Sequence, residues 1–330
     1  MNAVAFDQYG RPADVLKQVE QPTPTPGRGE VLVKMIAAPI NPSDLLYIEG
    51  RYGLLPKSFP CVPGFEGVGV VTANGGGLLG SLRKGQRVAV LNDRIGNWAE
   101  YTVASAKMVY PVSDEVSDEQ AAGFFVNPMT AIAMTRHVLK IPHGAWLLQS
   151  AAGSALGKMI LKLAKRDGFK TINVVRRAEQ AAELRALGAD AVVVEGQGSI
   201  PEQVQALTGG EGARYAIDPV GGATGTAVVQ SLANGGRCLL YGLLSGEPVA
   251  VDPRWLISGS KIVEGFWLAD WAKKQGILTM LGLMREIRGL LVNKTFETQF
   301  TATYTLGNIR EAVEHAAKPG KGGKVLLKLS

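Results

Sequence analysis

The fold can be read outward from residues 146–157, Trp-Leu-Leu-Gln-Ser-Ala-Ala-Gly-Ser-Ala-Leu-Gly. The first four residues form a short apolar run that is typical of a buried strand, and small residues follow it directly. Beyond them, apolar residues recur at helical spacing through Leu163 and Ala164, while three lysines face the other way. This order of strand, tight turn and amphipathic helix predicts the opening unit of a nucleotide-binding α/β domain.

The turn itself is the predicted site for a pyrophosphate. Small side chains let backbone N–H groups approach a phosphate closely, and the following helix start adds a positive dipole end. The alternative is a strand–helix turn that is tight only for packing, because this is not a full G-x-G-x-x-G pattern. The residues predicted to bind the cofactor here are Ser150, Gly153, Ser154, Ala155, Leu156 and Gly157.

Two arginines end the next predicted strand, Thr171–Val175. Arg176 follows Gly157 by 19 positions, close to the offset of roughly 20 at which NAD-binding units carry an acidic residue. Guanidinium groups at Arg176 and Arg177 bind a 2′-phosphate, which a carboxylate would repel. The pair therefore predicts NADPH as the cofactor; the alternative is an exposed basic helix start.

Strand-like and helix-like segments alternate through the centre of the chain, which predicts a doubly wound parallel sheet covered on both faces. The predicted segments after the first unit are strands at 171–175, 191–194, 215–218 and 237–241 and helices at 179–187 and 224–233.

The flanking parts look different. Residues 1–118 are rich in short β-type runs, and a capping pair, Ser117 and Gln120, predicts a helix start. The glycine-rich stretch Gly64–Gly69 precedes strand-type residues and no helix, so we expect a β-hairpin or bulge there. Regular alternation weakens after residue 262, and the tail ends in a strand-like run from Lys324 to Leu329. The predicted domains are 1–118 with 263–330, a discontinuous β-rich domain, and 119–262, the nucleotide-binding domain.

The net charge of +6 comes from 35 basic and 29 acidic residues that are spread along the chain. Basic and aromatic residues are not interleaved as single-strand binding requires, so no nucleic-acid partner is expected. Two cysteines, Cys61 and Cys238, favour a reducing compartment over a disulfide framework. The first strand pattern begins almost at Met1, and no apolar run is long enough to cross a membrane. We therefore expect a cytoplasmic protein without a membrane partner.

The chain resembles the medium-chain dehydrogenase/reductase superfamily, and within it the mitochondrial-type 2-enoyl thioester reductases. The resemblance implies a Rossmann domain inserted in a GroES-like catalytic domain. The segments that carry it lie in the family's order along nearly the whole chain: residues 38–44 (APINPSD), 50–56 (GRYGLLP), 126–131 (VNPMTA), 171–176 (TINVVR) and 265–268 (GFWL).

A metal site is not expected. A catalytic zinc needs about three Cys, His or carboxylate ligands, and the two cysteines and three histidines (His137, His143 and His315) lie far apart in sequence. Zinc-dependent relatives carry Cys at the position that resembles Asn41 and His at the one that resembles Phe65. We expect His137 at a helix end and His143 in a loop.

Without a metal, another group must polarise the substrate carbonyl and supply a proton. Hydride delivery to Cβ of an enoyl thioester places negative charge on the carbonyl oxygen, and Cα then takes a proton. The resemblance implies that Tyr52 is this donor, which suits a phenol because phenols stay protonated at neutral pH. The alternative is a tyrosine that only packs in a surface turn.

The remaining site residues follow from the same resemblance. Trp267 is expected to line the substrate pocket and seat the thioester, with a core tryptophan as the alternative. Asn41, Asn127 and Thr130 are expected to orient nicotinamide or substrate, although Asn before Pro is also an ordinary turn. The other expected cofactor contacts are Tyr241, Gly242, Leu243, Phe266, Leu268 and Lys324, the last only slightly favoured over a surface charge.

The sequence thus predicts NADPH-dependent reduction of the C=C bond of a 2-enoyl thioester on coenzyme A or acyl carrier protein. A quinone or small-enone reductase is the second enzymatic reading, because that sister family shares the zinc-free pattern. A non-catalytic NADPH-binding regulator or RNA-binding protein is the reading from another class. A homodimer is expected by resemblance, through an edge strand around Lys261–Phe266.

Overall fold

The computed structural model describes residues 1–92 and 96–330. Within them the strands are, in chain order, β1 Asn2–Ala5, β2 Lys17–Glu20, β3 Glu30–Ile40, β4 Glu66–Asn74, β5 Arg87–Leu91, β6 Tyr101–Ser105, β7 Val109–Pro111, β8 Trp146–Gln149, β9 Lys170–Val175, β10 Ala191–Val194, β11 Ala213–Asp218, β12 Leu232–Leu240, β13 Ile262–Gly265, β14 Phe300–Thr305 and β15 Lys324–Lys328.

The α-helices are α1 Pro12–Val15, α2 Pro42–Ile48, α3 Leu78–Arg83, α4 Asp118–Ala122, α5 Val126–Ile132, α6 Ala155–Asp167, α7 Ala178–Ala186, α8 Ile200–Leu207, α9 Gly222–Gln230, α10 Pro253–Ile257, α11 Leu268–Lys273, α12 Ile277–Val292 and α13 Ile309–Ala317. A π-helical stretch, Ala133–Val138, continues α5, and a 3₁₀ turn at Leu306–Asn308 precedes α13. None of the helices in the described ranges is both long and apolar enough to cross a bilayer.

The chain divides into two compact units, residues 1–126 with 284–330 and residues 127–283. These divisions lie at 126 and 283, whereas the predicted domain boundaries lie at 118 and 262. The difference has a local cause at the first division. Gln120 of α4 exchanges two hydrogen bonds with the backbone of Thr298, which attaches that helix to the first unit.

The first unit contains a seven-stranded sheet among the described residues, in the order β14-β15-β3-β4-β5-β7 with β6 also paired to β3. The long β3 pairs antiparallel with β4, β6 and β15 and so holds this sheet together. The stretch Gly64–Gly69 forms the start of β4, and the pairing of β3 with β4 shifts register between Met35 and Ala37. Of the two forms expected for Gly64–Gly69, a β-hairpin or a bulge, the bulge is confirmed, opposite Val68 and Gly69.

The second unit contains the predicted parallel sheet, with strand order β10-β9-β8-β11-β12-β13. Every pairing in it is parallel. Among the predicted segments of this sheet and its helices, the largest differences are that α9 ends at Gln230 rather than at residue 233 and that β12 begins at Leu232 rather than at residue 237. Ala213 pairs with Leu232, and the register shifts before Tyr215 pairs with Arg237, so a glycine-containing irregularity lengthens the strand.

Candidate active site

The predicted cofactor turn is folded tightly against its own helix. The Ser154 hydroxyl accepts a hydrogen bond from the Gly157 N–H at 3.1 Å and so caps α6. A Cβ atom on Gly157 would lie 2.4 Å from the Ala152 carbonyl oxygen, so only glycine fits there. Ala151 adopts a left-handed φ of 48°, which is uncommon for a residue with a Cβ. The first-turn N–H groups of Ala155 and Leu156 have no intrahelical acceptors and are available to a ligand.

Ser150 lies beneath the turn rather than on its surface. Its hydroxyl donates to Oδ1 of Asp218, at the end of β11, and both side chains are fully buried. Asp218 Oδ2 accepts the Gly221 N–H at 2.8 Å. Burial raises the pKa of the Asp218 carboxyl, and the Ser150 and backbone donors oppose that rise. Asp218 therefore joins the ends of neighbouring strands β8 and β11, a role that sequence reasoning missed.

Arg176 and Arg177 follow β9 directly, and both are exposed. β9 is the parallel neighbour of β8, so the pair lies at the same sheet edge as the cofactor turn. Arg177 occupies the N-cap position of α7 without a capping hydrogen bond from its side chain. Gln180, in the first turn of α7, packs where a Cβ on Gly153 would stand. The turn and the arginine pair are thus in contact through α7.

The residues after β12 run along the end of β11. The Tyr241 N–H donates to the Asp218 carbonyl oxygen and the Leu244 N–H to that of Pro219, both at 2.9 Å. A Cβ on Gly242 would meet the Pro219 carbonyl oxygen at 2.8 Å. Burial raises the pKa of the Tyr241 phenol. Tyr241 and Gly242 are half-buried and Leu243 is exposed at this edge.

Phe266, Trp267 and Leu268 follow β13 at the same edge of the sheet. Phe266 is buried, and its N–H donates to the Leu240 carbonyl oxygen at 2.8 Å. Trp267 is half-buried at the N-cap of α11, so it is not a core tryptophan. Asn127 and Thr130, which are expected to orient the nicotinamide or substrate, both lie on α5. Thr130 is buried and Asn127 is half-buried. His137 ends the π-helical stretch and His143 lies in a turn, as predicted.

Tyr52 lies in the loop after α2, in the first unit. Its ring is half-buried, and its centroid is 5.3 Å from that of Phe65. Phe65 packs in turn against Tyr47, with ring centroids 5.3 Å apart. Gly50 turns the chain towards this loop with a φ of 73°, and a Cβ there would collide with the ring of Tyr9. The ring of Tyr52 is therefore supported by an aromatic cluster and is not a loose surface side chain.

Asn41 and Lys324 meet in a fully buried polar network. Lys324 Nζ donates to Asn41 Oδ1 at 2.5 Å, and Asn41 Nδ2 donates to Glu66 Oε1 at 2.9 Å. The Lys324 ammonium also lies 3.7 Å from Glu66 Oε1. Lys324 is only 6% exposed, so the surface-charge alternative was wrong. Its expected contact with a cofactor stays a prediction.

Asp44 completes this network. Its Oδ2 accepts the Asn41 N–H at 2.7 Å and its Oδ1 accepts the Phe65 N–H at 3.0 Å. Burial raises the pKa of Asp44 to about 7, the two N–H groups oppose the rise, and the nearby Glu66 carboxylate adds to it. Burial lowers the pKa of Lys324, and Glu66 and Asp44 oppose that change.

Glu66 was not predicted as a site residue, because the segment Gly64–Gly69 was interpreted only from its glycines. Glu66 is 1% exposed in an otherwise apolar strand. A single acidic residue in such a run is the available signal, because buried carboxylates require partners.

Asn41 and Phe65 stand at the two positions where the resemblance implies Cys and His in zinc-dependent relatives. Asn41 is engaged with Glu66 and Lys324, and the ring of Phe65 packs against Tyr47 and Tyr52. In the part of the chain that the structure describes, no group of three or more His, Cys, Asp or Glu side chains could hold a metal ion. Cys61 and Cys238 are free thiols.

Comparison with known proteins gives matches across the whole chain. Residues 27–114 match the alcohol dehydrogenase GroES-like domain, and residues 155–283 match the zinc-binding dehydrogenase domain. The rat mitochondrial enoyl-[acyl-carrier-protein] reductase is 33% identical over 99% of this chain and 88% of its own. These matches and the described strands confirm the predicted fold class, a Rossmann sheet with a GroES-like domain.

Solved structures with bound ligands are among those similar to this chain. Escherichia coli quinone oxidoreductase complexed with NADPH superposes with a TM-score of 0.90 at 25% identity, covering 99% of this chain and 100% of that one. The ETR1P/NADP/crotonyl-CoA complex superposes with a TM-score of 0.84 at 25% identity, covering 99% of each chain.

The Asp44 pKa predicts how stability depends on pH. Burial raises the pKa of Asp44 from its ordinary value of 3.8 to about 7 in the folded protein. The contribution of Asp44 to the unfolding free energy is therefore complete below about pH 4 and falls as the pH rises towards 7. Three pKa units correspond to about 4 kcal/mol of unfolding free energy. In denaturant titrations from pH 4 to 8, Asp44→Asn should flatten this decline. Asp114→Asn, an exposed control, should keep it; equal slopes in all three proteins would contradict the prediction.

Proposed function

The chain belongs to the medium-chain dehydrogenase/reductase superfamily, in its zinc-free branch, and from this premise we propose that it reduces the C=C bond of 2-enoyl thioesters. It is an oxidoreductase, and its cofactor is NADPH. The observation that carries the substrate proposal is the full-length similarity to enoyl-[acyl-carrier-protein] reductases, together with Tyr52 held on Phe65.

The residues of the second unit fit a dinucleotide. The start of α6 offers N–H groups to a pyrophosphate, and the missing Cβ atoms at Gly153 and Gly157 let the turn pack closely against Gln180 and Ala152. Exposed guanidinium groups at Arg176 and Arg177 are suited to a 2′-phosphate. We propose that the backbone of Tyr241–Leu243 lies along the nicotinamide ribose. Asn127, Thr130, Phe266 and Leu268 would complete the contacts.

Bound NADPH supplies a hydride to Cβ of the substrate. Tyr52 then has two tasks in the proposed mechanism: its O–H donates to the carbonyl oxygen while charge develops there, and it supplies the proton that Cα takes. The packing of Tyr52 on Phe65 fixes the ring before substrate arrives, so little ordering remains to be done. Trp267, at the N-cap of α11, would seat the thioester.

Quinone reduction is the second candidate. The superposition on E. coli quinone oxidoreductase supports it, and a quinone also develops negative charge on oxygen as it takes a hydride. The two candidates differ in substrate and not in cofactor. Rates with crotonyl-CoA and with 1,4-benzoquinone, each with NADPH, separate them.

Tyr52→Phe removes the proposed donor and keeps the ring. We expect kcat for crotonyl-CoA to fall by roughly 100-fold or more, because loss of one donor to a developing oxyanion has about this effect. NADPH consumption followed at 340 nm measures it. Tyr9→Phe, another tyrosine of the same unit, is the matched control and should retain activity. Full activity in Tyr52→Phe would show that Tyr52 is not the donor.

Arg176→Ala tests cofactor selection. Because a guanidinium favours the 2′-phosphate and does nothing for a free 2′-hydroxyl, the kcat/KM ratio of NADPH over NADH should fall at least 10-fold, with NADH turnover nearly unchanged. Arg185→Ala, which changes an exposed arginine on the following helix α7, should leave the ratio unchanged. An unchanged ratio in Arg176→Ala would show that another group selects the cofactor.

We also propose a homodimer formed through β13, the edge strand of the parallel sheet. An open strand edge tends to pair with another strand. Ile262, the first residue of β13, is 50% exposed, and Ile257, at the end of α10, is 79% exposed. Sedimentation equilibrium should give twice the chain mass of 35.0 kDa for the wild type. Ile257→Asp should shift the protein towards monomer, and Leu78→Asp, an exposed control in the other unit, should not. A monomeric wild type would refute the dimer.

A further inference from the structure

The carboxamide of Asn41 is held at both of its ends by buried ionisable side chains, Lys324 and Glu66. Its oxygen accepts from Lys324 Nζ at 2.5 Å, and its nitrogen donates to Glu66 Oε1 at 2.9 Å. All three residues are at most 6% exposed. We propose that Glu66 and Lys324 are positioning residues, which lock the Asn41 amide so that one of its N–H groups donates to the substrate oxygen that gains charge.

The lock follows from the donor and acceptor types. An amide rotated by half a turn would set its NH₂ group against the Lys324 ammonium and its oxygen against the Glu66 carboxylate. Both contacts would be repulsive, so the observed amide orientation is favoured. Because Lys324 also lies 3.7 Å from Glu66 Oε1, the three groups close on one another. Asn41 therefore has a single favourable amide orientation.

One amide hydrogen remains for a ligand. The Asn41 nitrogen carries two hydrogens, and Glu66 is its one acceptor among the residues that the structure describes. A cation on the carbonyl end polarises the amide and strengthens the remaining N–H as a donor. Its best acceptor is an oxygen with negative charge. In the proposed reaction that oxygen is the thioester carbonyl, so this inference rests on the proposed function.

Glu66 also fixes a second element. Its Oε2 accepts the N–H groups of Phe125 and Val126 at 3.0 and 2.9 Å, at the start of α5. Asn127, the next residue in sequence, is one of the expected cofactor contacts. One buried carboxylate thus orders the Asn41 amide and the beginning of the segment that contains Asn127.

The test removes both charges together, because deleting one would leave the other buried and unpaired. The variant Glu66→Gln/Lys324→Met nearly keeps the side-chain volumes of the network and removes both of its charges. Arg87→Met/Asp118→Asn is the matched control: it removes another ion pair of the first unit, with 2.7 Å between its charged atoms. If the first variant fails to fold, Glu66→Gln/Lys324→Gln replaces it with two hydrogen-bonding amides.

The expected result is a roughly 10- to 100-fold fall in kcat with a smaller change in KM, because the lost contact forms as charge develops. The thermal midpoint should stay near that of the control. NADPH affinity, measured by fluorescence, is followed separately, because Lys324 and the segment that Glu66 holds at the start of α5 are also predicted to contact the cofactor. Crotonyl-CoA and 1,4-benzoquinone are both used, since each develops charge on oxygen. A wild type that reduces only the quinone would refute the proposed substrate, and the network would still be tested on the quinone.

A readout independent of turnover is the side-chain amide of Asn41 in ¹⁵N-labelled protein, assigned by its disappearance in Asn41→Ser. In the wild type, the two hydrogens should be well separated in shift, and the one bound to Glu66 should exchange slowly. Both features should vanish in the double variant. Unchanged amide signals, or a kcat within twofold of the control, would overturn the positioning role.

Discussion

A parallel β-sheet must be covered on both faces, and this constraint shapes most of the second unit. Each strand of the sheet is returned to the same end by a crossover, so the carboxyl ends of all six strands meet at one edge. The strand order reverses between β8 and β11, where a crevice forms at that edge. Ser150 follows β8 and Asp218 ends β11, and their hydrogen bond lies at this reversal. The cofactor turn is therefore placed by topology and secured by a buried carboxylate.

The first unit depends on register rather than on crossovers. β15 pairs antiparallel with β3, and Val325 lies opposite Ile40. The next pair along this ladder would be Lys324 and Asn41, whose side chains form the 2.5 Å hydrogen bond across 283 residues of sequence. The C-terminal return of the chain thus brings Lys324 to the network. The sheet cannot lose β15 without removing the cation from Glu66.

Periodicity and turn chemistry were sufficient for elements whose stability is local. β8 and β10 have the predicted bounds, and the Ser117 hydroxyl accepts from the Gln120 N–H as a helix cap should. The Gln120 side chain, however, binds Thr298 and not the cap, because a tertiary partner competes with the local one. The 16-residue α12 was not predicted. Its glycines, Gly282 and Gly289, and its mixed apolar faces hide the helical period.

The site residues also differ in whether their partners are near or far in sequence. The glycine turn and the arginine pair are contiguous in sequence, so spacing alone indicated a dinucleotide. The Asn41 network joins residues from β4, β15 and the start of α2, and no spacing rule predicts contacts of that range. The structure shows why they meet: Asp44, Glu66 and Lys324 are ionisable residues that are buried, and each therefore needs a partner.

The charges of this network lie next to Asn41 and Phe65, the two positions at which the family resemblance implies metal ligands in zinc-dependent relatives. A buried Glu66 carboxylate requires a nearby positive charge, and Lys324 supplies one at 3.7 Å. Asn41 is neutral and can mediate between them, because one end of an amide accepts and the other donates. Phe65 is apolar, so its side chain can support Tyr52 without adding charge. The Asn41 amide therefore lies between the Lys324 ammonium and the Glu66 carboxylate, and Phe65 supports the ring of Tyr52.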